Sequence, residues 1–227
     1  MVQGDSGTMI DDPGPILFRT ALVCASNVNR SIEAHRFFLE QGYPAELIGS
    51  YGAADAIRLP SPTGFPLTAQ FSPSGLARSP GSKTTYQRLI DECMRRGADF
   101  YTREGIIAML ERDMTVKDCP ESFQQTFRGR HVALPSLVIT FDRIVYSELA
   151  QFIAMELQRG DVDELLLVNI ATVDSIAGAS LGAIVAFDIA TKLGAYHPNQ
   201  WPSVADGVLA GVGLAYEQSL THSLFYV

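Results

Sequence analysis

Ala21-Leu22-Val23-Cys24-Ala25-Ser26-Asn27-Val28-Asn29-Arg30-Ser31 decides how the rest of the chain is read. Its first half is a short apolar run of the kind that forms a strand buried on both faces. From Ser31 to Gln41, Ile32, Ala34, His35, Phe38 and Leu39 recur at helical spacing, and Gly42 ends the pattern. Ala45 to Gly49 reads as a second short strand, so the chain opens strand, loop, helix, strand. A loop of about six residues between a strand end and a helix start can curl until successive backbone N–H groups point inward and form an anion nest. The helix N-terminus adds partial positive charge. A thiol on the floor of such a nest favours its thiolate form. Arg30 at the rim can grip two phosphate oxygens, and Ser31 can donate to the sulfur. That is the equipment of metal-free nucleophilic attack on phosphorus. The same spacing also suits a buried structural cysteine followed by a surface arginine.

Outward from this segment, Gly52 to Ser82 changes texture. Pro60, Pro62, Pro66, Pro73 and Pro80, with Gly64, Gly75 and Gly81, exclude a long helix and reduce any strand to an edge or hairpin. Tyr86, Leu89, Ile90, Cys93 and Met94 then mark one face of a helix closing near Gly97. Tyr101 to Leu110 suggests another helix. Leu137 to Thr140 reads as a third core strand, Arg143 to Gln158 as a helix and Leu165 to Ile170 as a fourth strand. Gly178 to Leu193 is a strongly apolar helix ended by Gly194. Alternating strands and helices predict a three-layer, flavodoxin-like α/β fold: a parallel sheet with helices on both faces, plus a small cap insertion at about 50–86. Residues 1–15 read as a flexible tail, 16–227 as a single domain. Ligands in such sheets bind beyond the carboxyl ends of the strands, which singles out the loops Cys24 to Ser31 and Ala171 to Ala177. Asp174 stands in the second, where it can protonate a leaving group; a turn or helix-capping aspartate fits the position as well.

Composition limits the rest. The 227 residues carry 17 Lys+Arg against 25 Asp+Glu, a net charge of −8. An acidic chain of this kind lacks the basic footprint of a nucleic-acid binder, so any anion must be held in a locally positive pocket. At 47% hydrophobic and 19% charged the chain is too apolar to be disordered. Cys24, Cys93 and Cys119 are too few and too scattered for a disulfide framework or a zinc site, so no metal and no cofactor is expected. Asn169, Asp174 and Asp188 interrupt the most apolar stretch, Leu165 to Ile189, which argues against a membrane span. Met1 to Pro15 has no apolar run suggesting a signal peptide, and a soluble intracellular protein is expected.

Val23 to Ser31, followed by Glu33-Ala34-His35, resembles the loop of the eukaryotic nuclear phosphatases that act on the C-terminal domain of RNA polymerase II. These are atypical phosphoserine relatives of the low-molecular-weight tyrosine phosphatases. Further matches follow in order: Arg58-Leu59-Pro60; Lys83-Thr84-Thr85-Tyr86; Tyr101-Thr102 with Gly105-Ile106; Met109-Leu110-Glu111-Arg112; Pro120-Glu121 with Phe123-Gln124; Val145-Tyr146; Val168-Asn169-Ile170; Asp174; and Leu181-Gly182-Ala183. The resemblance spans about residues 18–193, and Phe225-Tyr226 echoes the family's aromatic ending. It implies Cys24 as nucleophile, Arg30 as phosphate clamp, Asp174 as general acid, and Ala25, Ser26, Asn27, Val28, Asn29 and Ser31 as the phosphate-binding loop. Arg58, Leu59, Pro60, Tyr101 and Met109 match the substrate groove, where a cis prolyl ring needs an apolar-aromatic slot; core packing accounts for Tyr101 and Met109 equally well.

What the resemblance implies, then, is a cysteine-dependent phosphoserine phosphatase for Ser-Pro heptads, located in the nucleus and linked to transcription termination and mRNA 3′-end processing. A phosphorylated tail peptide and a scaffold protein of the cleavage and polyadenylation machinery are its implied partners, with no direct nucleic acid and no membrane. A low-molecular-weight tyrosine phosphatase, which would place proline where Ser175 follows Asp174, and a catalytically weak scaffold subunit are the alternatives. An arsenate reductase would need resolving cysteines that Cys93 and Cys119 are badly placed to supply. The chain departs from the family pattern at Ala171, where the family usually has aspartate, and at Ile176-Ala177-Gly178-Ala179, which replace an acidic patch. It departs again at Phe141-Asp142-Arg143-Ile144, in a longer stretch between Pro60 and Lys83, and after Leu193, where it is Gly/Ala-rich instead of acidic and helical.

Overall fold

A computed structural model describes residues 16–71, 84–128, 132–157 and 163–227. The expected tail at 1–15, Pro73, Gly75, Pro80, Gly81 and Lys83 lie outside the described residues. The central sheet has strand order β2-β1-β5-β6-β7. Its members are β1 (Thr20–Cys24), β2 (Ile48–Gly52), β5 (Leu137–Thr140), β6 (Glu164–Ile170) and β7 (Leu220–Tyr226). The first four pair in parallel, with Cys24 opposite Gly52 and Val23 opposite Thr140. β7 runs antiparallel along β6, from Ile170↔Leu220 to Glu164↔Tyr226, so one edge of an otherwise parallel sheet is reversed.

Every residue of β1 is buried, as a strand covered on both faces must be. Leu22, Ile139 and Val168 face one layer, formed by α1 (Arg30–Glu40), α6 (Ile176–Leu193) and α7 (Trp201–Tyr216). Ala21, Val23, Val138 and Leu167 face the other, with α4 (Phe123–Phe127), α5 (Arg143–Phe152) and the π-helical turn Ile153–Leu157. α6 has the length and apolarity of a membrane span, yet one face of it is used inside the protein: Ala183, Val185, Ala186, Ile189 and Leu193 are buried in the first layer. The Gly/Ala-rich segment after Leu193 differs from the expectation. It forms α7, because Trp201, Leu209 and Val212 bury against the sheet and outweigh the helix penalty of Gly207, Gly211 and Gly213. Trp201 stacks edge-on against Phe18, centroids 4.7 Å apart, and its indole N–H donates to the Leu193 carbonyl.

A third core sits over the carboxyl edge of the sheet. The proline-rich segment supplies an antiparallel hairpin of β3 (Ile57–Leu59) and β4 (Leu67–Ala69), and α2 (Tyr86–Arg103) and α3 (Ile106–Met114) complete the cap. Ile57, Leu59, Leu67, Phe71, Tyr86, Leu89, Tyr101 and Leu110 pack there against Val28 and Ile32, which belong to the loop after β1 and the first turn of α1. The cap core therefore runs well past residue 86. The helix beginning at Tyr86 does not stop at Gly97 but kinks there and continues to Arg103; Met94, at the rim of its apolar face, is half-exposed. No single helix covers Tyr101 to Leu110: Gly105, in the left-handed region at φ 73°, separates α2 from α3. Ala45–Leu47 is a 3₁₀ turn, and the second strand begins only at Ile48.

Candidate active site

The loop between β1 and α1 curls as its spacing suggests, through two asparagines with positive φ, Asn27 (53°) and Asn29 (76°). Asparagine tolerates that region better than most side chains, and both offset the strain with hydrogen bonds. Asn27 is fully buried below the loop: its Nδ2 donates to Ser31 Oγ at 3.0 Å, and its Oδ1 accepts from the Glu121 amide at 2.9 Å. The Tyr86 hydroxyl donates to the Asn27 carbonyl at 2.6 Å. Since Asn27 occupies a lone pair of Ser31 Oγ, the serine proton is free for Cys24 Sγ, 3.1 Å away. In its thiol form Cys24 also faces the Val28 carbonyl at 3.6 Å.

Arg30 is buried and fixed on several sides. Nη1 donates to the carbonyls of Phe141 (3.0 Å) and Thr172 (3.3 Å), and Nη2 to Asp142 Oδ2 at 3.1 Å. Its Nε and Nη2 lie 3.4 Å from the Asp174 carboxylate, which is mostly exposed. Asn29 Nδ2 holds the same carboxylate at 2.8 Å, so residues 29 and 30 together grip residue 174 across the sheet edge. Asp174 is presented by a tight turn in which Ser175 caps α6, accepting from the Gly178 amide at 3.0 Å. A Cβ at Gly178 would meet the Val173 carbonyl oxygen at 2.1 Å, so only glycine lets the helix start this close to the loop.

The loop rests on charged supports. Lys117 donates to the Ser50 carbonyl (2.6 Å) and to Glu121 (2.7 Å) beneath the Tyr51 ring; burial pushes its ammonium below the ordinary range. Arg112 bridges Glu33 (3.2 Å), Asp113 (2.6 Å) and the Asn29 carbonyl (3.3 Å). Burial is the largest influence on Glu33 and pushes its carboxyl up, but Arg36, Arg112 and Ser180 together hold it below the ordinary value. Burial wins at Asp113, which is pushed up to about 6 despite Arg112. Two buried acceptors near Asn29, its own Oδ1 and Asp113 Oδ2, have no hydrogen-bond partner among the described residues.

Above the loop opens a pocket of about 570 Å³ between sheet edge and cap. It brings together Cys24, Ala25, Ser26, Val28, Asn29, Arg30 and Asp174 with Arg58, Leu59, Pro60 and Met109. Asn27 and Ser31 lie under it. Tyr101 is elsewhere: on the face of α2 shared with Tyr86, Leu89, Ile90 and Cys93 it is fully buried in the cap core, and its hydroxyl is unpartnered among the described residues. The pocket wall gains Glu104, which the sequence did not single out, and Ile106 and Ile176, noted there only as a family match and a departure. It passed over Asp142 too, quoted only as a departure; a signal was present, because an aspartate two residues past a strand end faces the carboxyl edge where Arg30 lies.

Burial and short-range hydrogen-bond donors thus suit the pocket to an oxyanion above the Cys24 sulfur. A model of the Ssu72-like protein family matches residues 18–227. The RNA polymerase II C-terminal domain phosphatase SSU72 of zebrafish (Danio rerio) is 30% identical over 174 residues, 76% of this chain and 78% of that protein. Its counterpart in Dictyostelium discoideum is 28% identical over 214 residues, covering 92% and 89%. Among solved structures, Drosophila melanogaster Ssu72 with Symplekin, bound to a cis peptidomimetic phosphoserine peptide of the polymerase C-terminal domain, superposes with a TM-score of 0.76 at 23% identity, over 94% of this chain and 100% of that one. At that identity the structural likeness speaks for the fold, while the family model and the sequence relatives speak for kinship. The chain belongs to the Ssu72-like family.

Proposed function

We propose that this chain is a cysteine-dependent phosphoserine phosphatase acting in the nucleus on the C-terminal domain of RNA polymerase II, in connection with mRNA 3′-end processing. The observation that carries the reading is the convergence of Cys24, Ser31, Arg30 and Asp174: a sulfur with a dedicated hydroxyl donor, and an arginine shared with an exposed carboxyl group, in one pocket. The relatives' activity and the Symplekin-bound neighbour supply the substrate class and the scaffold partner.

In this mechanism a phosphoserine enters between cap and sheet, with Leu59, Pro60 and Met109 against the following proline ring and Arg58 at the mouth. Arg30, held rigid by Asp142 and two carbonyls, offers its Nε–Nη2 edge to the phosphate in exchange for Asp174. The Cys24 thiolate attacks phosphorus; the bond to the serine oxygen breaks as Asp174 gives that oxygen a proton. Asp174, now a carboxylate, takes a proton from water as the water attacks the thiophosphate, releasing inorganic phosphate and the thiolate. A serine alkoxide leaves poorly without a proton, so the acid matters more for phosphoserine than for a phenolate.

The test is phosphate release in EDTA from tail heptad peptides phosphorylated singly at each serine, beside a phosphotyrosine peptide. Turnover on one Ser-Pro site, lost in Cys24→Ser with phosphopeptide binding retained, is expected. Asp174→Asn is expected to lower kcat on phosphoserine by about 10²–10⁴-fold and on an aryl phosphate by clearly less. Equal losses on both would remove Asp174 from the acid role, and preference for phosphotyrosine would move the chain to the tyrosine phosphatases.

A further inference from the structure

The carboxyl edge of the sheet carries a second hollow beside the one around Cys24. It measures about 510 Å³ and lies between the first turns of α5, the end of β6 and the chain entering β7, lined by Arg143, Ser147, Asn169, Ser219 and Thr221. Among the described residues that line it none is acidic, in a chain whose net charge is −8. Arg143 has no ion pair among the described residues, although it stands next to Asp142, which is committed to Arg30. Asn169 is only 3% exposed; its Oδ1 accepts from the Thr140 hydroxyl at 2.9 Å, while its Nδ2 has no partner among the described residues. That amide is not sealed from solvent, so it is open to donate to an acceptor entering the hollow. Tyr146, the remaining polar wall, already bonds Ser223 at 2.7 Å and leaves the hydroxyls of Ser219 and Thr221 as further donors. The inventory is one guanidinium fork, one amide and hydroxyls, which is the donor set of an oxyanion.

The wall shared by the two hollows is bounded by the chain. Ala171, on the wall of this hollow, precedes Asp174, on the wall of the first, by three residues, so the ridge between them spans at most about 11 Å. An extended peptide rising about 3.3 Å per residue crosses that in three or four residues.

We propose that this hollow is a second phosphate subsite, taking a phosphoryl group carried on the substrate chain three or four residues from the phosphoserine attacked by Cys24. The proposal rests on the phosphatase reading and narrows its substrate to multiply phosphorylated tails. The small, neutral Ala171 is part of the device, since a carboxylate there would repel the incoming anion.

Binding to Cys24→Ser protein, measured by titration calorimetry, tests this without turnover. The probes are a singly phosphorylated peptide and peptides with a second phosphoserine three or four residues to either side. One doubly phosphorylated peptide is expected to bind about tenfold more tightly than the single one. Adding Arg143→Ala or Ala171→Asp should erase that advantage and leave the singly phosphorylated peptide unchanged; Arg143→Lys should retain part of it. In the active protein, Arg143→Ala should raise KM on the doubly phosphorylated peptide alone and leave hydrolysis of a small aryl phosphate as it was. Equal affinity for singly and doubly phosphorylated peptides, or equal weakening of both by Arg143→Ala, would overturn the subsite. A binding advantage without hydrolysis of any substrate would uphold the subsite and overturn the phosphatase reading.

Discussion

Ser31→Ala isolates the hydroxyl between Cys24 and Asn27. The change removes two hydrogen bonds in a fully buried place: Ser31 Oγ lies 3.1 Å from Cys24 Sγ and accepts from Asn27 Nδ2 at 3.0 Å. Toward the sulfur the bond is to an anion, worth about 1.5–3 kcal/mol. It is absent while sulfur is covalently phosphorylated and re-forms as the thiolate departs. Hydrolysis of the thiophosphate therefore loses the whole amount, a factor of about 10–150 at 1.36 kcal/mol per decade. Phosphorylation of the enzyme loses less, because a thiolate lacking its donor is scarcer but more nucleophilic. The second step becomes limiting. Rapid mixing with p-nitrophenyl phosphate should show a burst of nitrophenolate equal to the enzyme concentration, then a steady rate lowered by that factor. Asn27 is left with an unpaired amide, so the variant should also be destabilised by about 1–3 kcal/mol, a loss of several degrees in melting temperature. A steady rate within twofold of the unaltered protein, with no burst, would refute the leaving-group argument even if the protein were destabilised.

Asp142 both anchors Arg30 (3.1 Å) and caps α5 by accepting from the Val145 amide (2.9 Å), and asparagine can do only the second. Asp142→Asn should lower kcat/KM about tenfold with less than about 1 kcal/mol lost in urea unfolding, whereas Asp142→Ala should lose both; unchanged kcat/KM in the asparagine variant would remove the anchoring role. Asp113 has a folded-state value of about 6 against an ordinary 3.8, so it favours the protonated form, and the stability it adds is complete below 3.8 and lost as pH rises through 6. Asp113→Asn should be more stable than the unaltered protein by up to roughly 3 kcal/mol at pH 7 and by little at pH 4, read as the difference between two unfolding series. The difference is needed because His35, pushed down to about 4 chiefly by burial, works the other way: its contribution falls as pH drops from 6.5 to 4 in both proteins. A difference that does not change with pH would sink the assignment to Asp113.

The parts legible in the sequence are those whose causes are local. β1, the loop and α1 follow from an apolar run, a six-residue gap and one amphipathic face, and the prolines after Gly52 correctly demote that segment to the hairpin of β3 and β4. What escaped depends on contacts distant in sequence. α7 reads as a glycine-rich coil until Trp201 finds Phe18. Resemblance alone places Tyr101 in the groove, with core packing equally open; its position on the face of α2 shared with Tyr86, Leu89, Ile90 and Cys93 decides for the core. Asp142 reads as an unremarkable departure until β5 is placed beside β1, where the residue just past each strand end faces the same edge.

The two aspartates on Arg30 also explain how an acidic chain can hold a phosphate. Counted by charge, Arg30 is more than neutralised by Asp142 and Asp174, and Glu104 stands on the same wall. A dianion is therefore not drawn in by net charge. The two carboxylates differ, however, in what holds them. Asp142 is mostly buried and tied into the cap of α5, so it stays; Asp174 is largely exposed on a turn and, among the described residues, gripped only by the groups a phosphate would also want, Asn29 Nδ2 and the outer edge of Arg30. An arriving phosphate exchanges for Asp174 at Arg30 instead of adding to it, and the exchange frees that carboxyl beside the leaving oxygen. Anion binding and the positioning of the acid are then one event, and the attraction that drives it comes from short-range donors in the loop, which the surrounding negative charge leaves intact.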